Sequence, residues 1–121
     1  MKLQNSLFYI DCHKADEYVI TFHPDHVIYH VHFPGHPITP GACIVQILGE
    51  LIELHENRAL HLKEIKNLKF VMPISPIEDP SVSVVFQKIE LIDKDLHAMG
   101  IIANGDKIYT KFSMIYQSDQ R

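Results

Sequence analysis

The sequence predicts an α+β fold, in which one long, largely apolar helix packs among five or six antiparallel strands. Three observations carry that expectation. From Gly41 the chain is almost continuously apolar with helical spacing, interrupted only by Gln46, Gly49, Glu50 and Glu53. From Ser81 onward apolar and polar residues alternate, punctuated by turn signals at Asp93-Lys94-Asp95 and Asn104-Gly105. Ahead of the helix, Tyr18 to Phe22 is a β-branched and aromatic run. With 121 residues the chain suffices for one domain and is too short for two ordinary ones, so 1–121 reads as a single unit.

Composition narrows the function classes. Hydrophobic content of 46% and charged content of 21% are those of a soluble globular protein. A formal charge of −4 argues against nucleic-acid binding, which normally shows a basic excess. Cys12 and Cys43 are the two cysteines and make no disulfide framework. Cys43 falls on the first helical turn, where the helix dipole can lower a thiol, but a small core residue is the better reading. The N-terminal stretch lacks the basic start and long apolar core of a signal peptide, and no hydrophobic run is long enough to span a membrane. The expected location is cytoplasmic.

Taken in order, Leu7 to Ile10 fits either a short strand or a packed helical turn, and Asp11 to Glu17 reads as a turn. Tyr18–Phe22 is a strand, His23 to His26 turns at its Pro-Asp pair, and Val27 to His32 reads as a further strand with His30 and His32 on one face. Five histidines between 23 and 36 invite a metal reading, but they are scattered over turn, strand and loop without a Cys pair in support, and no metal site is expected. Within the loop, His36 reads as a surface or entrance residue.

Residues 32–41, HFPGHPITPG, place a proline at every third position, at 34, 37 and 40. Each fixes φ and pushes its predecessor out of the helical region, which makes a stiff loop. Thr39 then fits a helix N-cap, Pro40 the first helical position and Gly41 the second. The Gly41 amide would be among the free donors at the positive end of the helix dipole, and its missing side chain lets a ligand oxygen come close. Such a loop delivers His32 beside that helix terminus, pairing a general base with an oxyanion site.

The helix is expected from Pro40 to His55 or Asn57, apolar round most of its circumference and therefore buried. Gln46, Glu50 and Glu53 fall at i, i+4 and i+7, one polar stripe that would face solvent or a dimer neighbour. Gly49 is expected to mark close packing against a strand. Residues 58–81 give a connection and a strand with apolar positions Ile65, Leu68, Phe70 and Met72, closed by Pro73 and Pro76. Arg58, Lys63, Lys66 and Lys69 make the densest basic cluster, readable as a docking patch or as lysines guarding a strand edge. In the meander, Val82, Val84 and Phe86 point inward, residues 96–103 form a strand, and Ile108, Thr110, Phe112, Met114 and Tyr116 share one face of the last.

The loop resembles the His-Phe-Pro-x-x-Pro-x-x-Pro-Gly motif of the 3-hydroxyacyl-acyl-carrier-protein dehydratases, a hot-dog-fold family in which an antiparallel sheet wraps a long helix. The likeness extends to the Phe-x-x-Pro-x-x-Pro stretch at Phe70, Pro73 and Pro76 and covers the chain from about Tyr18 onward. It implies a lyase of fatty-acid or related lipid or polyene biosynthesis, with no cofactor, acting on thioesters of an acyl carrier protein or coenzyme A. It also implies a homodimer, or a heterodimer with a homologue, whose sites combine the loop histidine of one subunit with a helix carboxylate of the other. By resemblance His32 is the base, the Gly41 amide holds the thioester carbonyl oxygen, Phe33 and Phe70 line the acyl tunnel, and position 46 faces the departing hydroxyl.

That family carries Glu or Asp five positions after the motif's last glycine, where this chain has Gln46. An amide hydrogen-bonds but cannot give up a proton as a carboxylic acid does. Glu50, one turn further on, is the nearest carboxyl in sequence that could replace it. Thr39 stands where the family is usually apolar, and as an N-cap its hydroxyl would compete with substrate for the Gly41 or Ala42 amide. Three readings remain open on sequence alone: a dehydratase with another proton source, a non-catalytic thioester-binding subunit paired with an active homologue, and a hot-dog thioesterase.

Overall fold

In the computed structural model, residues 2–31 and 35–118 are described. Six strands form one antiparallel sheet: β1 (Phe8–Lys14), β2 (Glu17–Phe22), β3 (Leu60–Phe70), β4 (Ser81–Ile92), β5 (Asp95–Asn104) and β6 (Lys107–Ser118), in the order β1-β2-β4-β5-β6-β3. A short helix, α1 (Val27–Val31), and the long helix, α2 (Gly41–Glu56), lie between β2 and β3 in sequence. This is the α+β, hot-dog arrangement the sequence predicted.

The core forms where the apolar face of α2 meets the inner face of the sheet. Ile44, Ile47, Leu48, Leu51 and Ile52 join Val82, Val84, Phe86, Phe112 and Met114 in a single buried cluster. The helix is less completely buried than its composition implies, because Leu54 is exposed and Val45 only partly covered. At its C-terminus Asn57 takes the left-handed conformation, and the amides of Asn57 and Arg58 bond to the Leu54 and Glu53 carbonyls.

Several sequence expectations need correction. Asp11 to Lys14 continue β1 beyond Ile10, and the chain reverses only at Ala15-Asp16, where Ala15 has φ +54°. Val27 to Val31 is a helix, not a strand. The His26 ring accepts the Ile28 amide at 3.1 Å and its carbonyl the Tyr29 amide at 3.0 Å, so the preceding turn starts a helical turn. Only Tyr29 of that segment is buried, which leaves the β-propensity of its valines nothing to pack against. His30 lies on this helix and is exposed.

Gly49 meets nothing within 4 Å of where a Cβ would sit, so it opens space on the helix surface instead of marking a close packing contact. On β3, which lies at the edge of the sheet, Ile65 and Phe70 are exposed. On β6 a register shift between Ile102 and Ala103 of β5 moves Tyr109 into the core and leaves Ile108 half-buried. The hairpin at Asn104-Gly105 is as predicted, with Gly105 at φ +61° taking the position that needs it.

Candidate functional site

The helix terminus differs from expectation by one residue. Pro40, extended at φ −62° and ψ 147°, occupies the N-cap position, and Gly41 is the first helical residue. Thr39 is therefore not the cap. Its hydroxyl meets the Tyr29 hydroxyl at 2.9 Å in the core, and its amide donates to the Ile74 carbonyl at 2.8 Å. Among the described residues no side chain caps the first turn of α2, and the Thr39 hydroxyl is turned to Tyr29 instead of to its amides.

Gly41 and Phe70, two of the predicted substrate-binding residues, are brought together. A Cβ on Gly41 would lie 2.9 Å from Phe70 Cζ, so the space beside that amide belongs to the aromatic ring at the end of β3. The ring itself is half exposed, at 49%. An apolar wall thus stands against a helix terminus rich in donors. His32 and Phe33 lie outside the described residues.

Gln46 sits five residues along the same helix, a rise of about 7.5 Å from Gly41. Its Nε2 donates to Glu50 Oε2 at 2.8 Å. Glu50 is not on a solvent-facing stripe: it is 5% exposed and also accepts the Leu3 amide at 2.6 Å and the Gln4 amide at 2.9 Å. Two backbone N–H groups and a side-chain amide converge on the oxygens of this carboxyl, which are thereby engaged within the chain. Glu53, the last of the stripe, is half-buried and caps the start of β3 by accepting the Leu60 amide at 2.9 Å.

Around this helix face lies a cavity of about 220 Å³, bordered by Gln46, Gly49 and Glu53 of α2 with Leu62 of β3 and Tyr116 of β6. Burial, with the charge of Glu53 adding to it, pushes the Tyr116 hydroxyl well above its usual 10.0, so it stays protonated. Cys43 is partly buried against the core, and that burial raises its thiol. His23 and His36 are exposed. Among the described residues, no group of three or more His, Cys, Asp and Glu is arranged to hold a metal, and no helix is long and apolar enough to cross a membrane.

Sequence reasoning missed the N-terminal contribution. Leu3 and Gln4 reach the helix across 47 and 46 positions, a pairing with no local signal. Tyr29 was hidden by the expected strand.

Comparisons with known proteins agree with this architecture. Residues 11–98 match the ApeI-like family, whose members are described as ApeI dehydratase. The 3-hydroxyacyl-[acyl-carrier-protein] dehydratase FabZ of a Wolbachia strain from Drosophila simulans is 40% identical over 52 residues. That match covers 37% of this chain and 36% of the relative, about a third of its length. An uncharacterized protein from Erwinia carotovora subsp. atroseptica has the same fold, with a TM-score of 0.66, 17% identity and 94% coverage of both chains. The dehydratase heterocomplex ApeI:P from Xenorhabdus doucetiae also shares it, with a TM-score of 0.58, 17% identity and coverage of 88% of this chain and 92% of that one. With 88 of its 121 residues inside the family match (98 − 11 + 1), this chain belongs to the ApeI-like dehydratase family.

Proposed function

We propose that this protein is a dehydratase-family subunit that binds 3-hydroxyacyl thioesters of an acyl carrier protein and obtains the acid for dehydration from a homologous subunit. The observation that carries the reading is the state of the helix carboxyls. Position 46 holds an amide, and Glu50 is engaged by the Leu3, Gln4 and Gln46 donors. The binding half of the chemistry is better supplied. The proline loop carries His32 as the base for the proton next to the thioester carbonyl, and the uncapped first turn offers the Gly41 amide to the carbonyl oxygen.

In a pair with a homologue bearing Glu or Asp at the position of Gln46, the His32 of this chain faces a working acid. The homologue's histidine faces Gln46. One of two sites is then competent. The free edge of β3 and the exposed Leu62, Ile65 and Leu54 supply a surface for such a partner. That a neighbour of the same fold is a dehydratase heterocomplex supports the pairing.

A second reading, slow dehydration by a homodimer, is favoured by the complete loop motif and uncapped Gly41. Hydration of a crotonyl thioester separates the two. On the main reading the chain alone is silent, and Gln46→Glu gains activity on the order of 10²–10⁴-fold. Co-expression with a carboxylate-bearing homologue gives activity that His32→Ala in this chain removes. Turnover by the wild-type chain alone, lost in His32→Ala, establishes the second reading instead.

A further inference from the structure

The chain has five glycines, and the fold accounts for all but Gly49. Gly35 and Gly105 have φ of +89° and +61°, a conformation that side chains disfavour. At Gly41 and Gly100 an added Cβ would meet the Phe70 ring and the Val85 carbonyl. Gly49 has neither reason. It lies inside α2, and a Cβ there would meet nothing within 4 Å. Glycine in a helix interior is less stable than alanine, so α2 gives up stability where its own packing would admit a side chain.

What the missing side chain leaves open is the cavity of about 220 Å³. Its walls are largely apolar: Val45 one turn before Gly49, Leu60 and Leu62 of β3, and the buried Tyr116, which pairs with Leu62 across the β3–β6 ladder. At ~30 Å³ per water-sized group, the space holds about seven methylenes. That is too little for a drug-sized ligand and suits a short linear chain. Two acidic side chains, Glu50 and Glu53, border the cavity as well, which opposes a free carboxylate and tolerates a neutral chain.

We infer that this cavity seats the aliphatic end of a short acyl thioester, up to about eight carbons, and that Gly49 sets the length of chain it accepts. The inference rests on the thioester-binding reading above and adds the class of acyl chain. A side chain at position 49 fills the space that the acyl chain needs and leaves the fold intact.

The test is calorimetric titration of the full chain with inert amide isosteres of butyryl-, hexanoyl- and octanoyl-pantetheine. On wild type each added methylene should tighten binding about fourfold. Octanamide should displace the octanoyl analogue about tenfold better than octanoate does. Gly49→Leu should abolish the gain from butyryl to octanoyl, with butyryl affinity within about twofold of wild type. Gly49→Ala should fall between the two, and its graded loss decides the matter should Gly49→Leu not fold. Both variants should melt about 2–6 °C above wild type, so that lost binding is not ascribed to unfolding.

Wild-type affinity independent of chain length, or a gain that survives in both variants, overturns the inference while leaving thioester binding intact. A Gly49→Ala protein less stable than wild type also overturns it, because the fold itself would then need the glycine. An altered oligomeric state in Gly49→Leu with an unchanged chain-length profile puts a second subunit in the cavity instead. Octanoate competing as well as octanamide overturns the choice of a neutral chain. Failure of every analogue to bind wild type overturns the functional reading and the inference together.

Discussion

The hydroxyls of Tyr29 and Thr39 meet at 2.9 Å in the core, and both residues are almost wholly buried. This contact joins α1 to the residue just before the N-cap of α2. Burial raises the Tyr29 hydroxyl to about 12, against a lowering by its bond to Thr39, so it acts as a neutral hydrogen-bonding group at any physiological pH.

Tyr29→Phe strands the Thr39 hydroxyl without that partner, and Thr39→Val does the converse. Each should cost about 1–3 kcal/mol, the desolvation penalty of an unmatched buried group. The double variant removes both polar groups and should recover much of the loss. Urea denaturation of the three variants checks this, and simple additivity would contradict it.

Glu50→Ala removes the acceptor of the Leu3 and Gln4 amides. Hydrogen bonds to a charged group contribute about 1.5–3 kcal/mol each, so a loss of several kcal/mol is expected in the urea midpoint. Glu53→Ala, which frees one amide at a half-buried position, should cost less than half as much.

Asp79 gives the fold an acid-sensitive contact. Burial alone would raise its carboxyl, but bonds from Tyr109 at 2.8 Å and Lys107 at 3.2 Å, the Ser75 amide and the charge of Lys107 outweigh it, so it sits below the usual 3.8. A depressed folded value stabilises above the unfolded one, and that stability is lost as pH falls through the folded value. Wild type should therefore lose stability below pH ~4 more steeply than Asp79→Asn. Tyr109 is raised to about 12 by burial and by Asp79, so its contribution is present below pH ~10 and lost as pH rises through 12. Chemical denaturation at pH 3, 7 and 11 tests both arms.

Two glycines should respond differently to alanine. At Gly100 a Cβ would collide with the backbone carbonyl of Val85, which cannot yield without breaking the β4–β5 register, so Gly100→Ala should cost about 3 kcal/mol or more, or prevent folding. At Gly41 the obstacle is the end of the half-exposed Phe70 ring, which can rotate away. Gly41→Ala should stay folded, with its melting temperature within a few degrees, and weaken thioester binding by crowding the first-turn amide.

Much of the fold was legible because its signals are local. The apolar run of α2, the alternation of β4 to β6 and the Asn104-Gly105 turn each specify an element without help from distant residues. The stretch from Val27 to Val31 was not, because its β-branched composition is overridden by the turn that precedes it and by the lack of a partner strand. The loop motif pointed to Gly41 and Phe70, which do converge. Nothing in Leu3 or Gln4 announces a carboxylate 46 or 47 positions away, and a charge at i+4 from Gln46 reads as solvated until the opposing backbone is seen.

The span from Leu3 to Glu50 also has a kinetic meaning. Closing so long a loop is entropically costly and only repaid once the helix is seated on the sheet, so the N-terminal turn belongs to the last structure gained and the first released. Hydrogen exchange at the Leu3 and Gln4 amides would then report on one carboxylate in the middle of the molecule, and an event at Gln46 that disturbs Glu50 would be read out at the start of the chain.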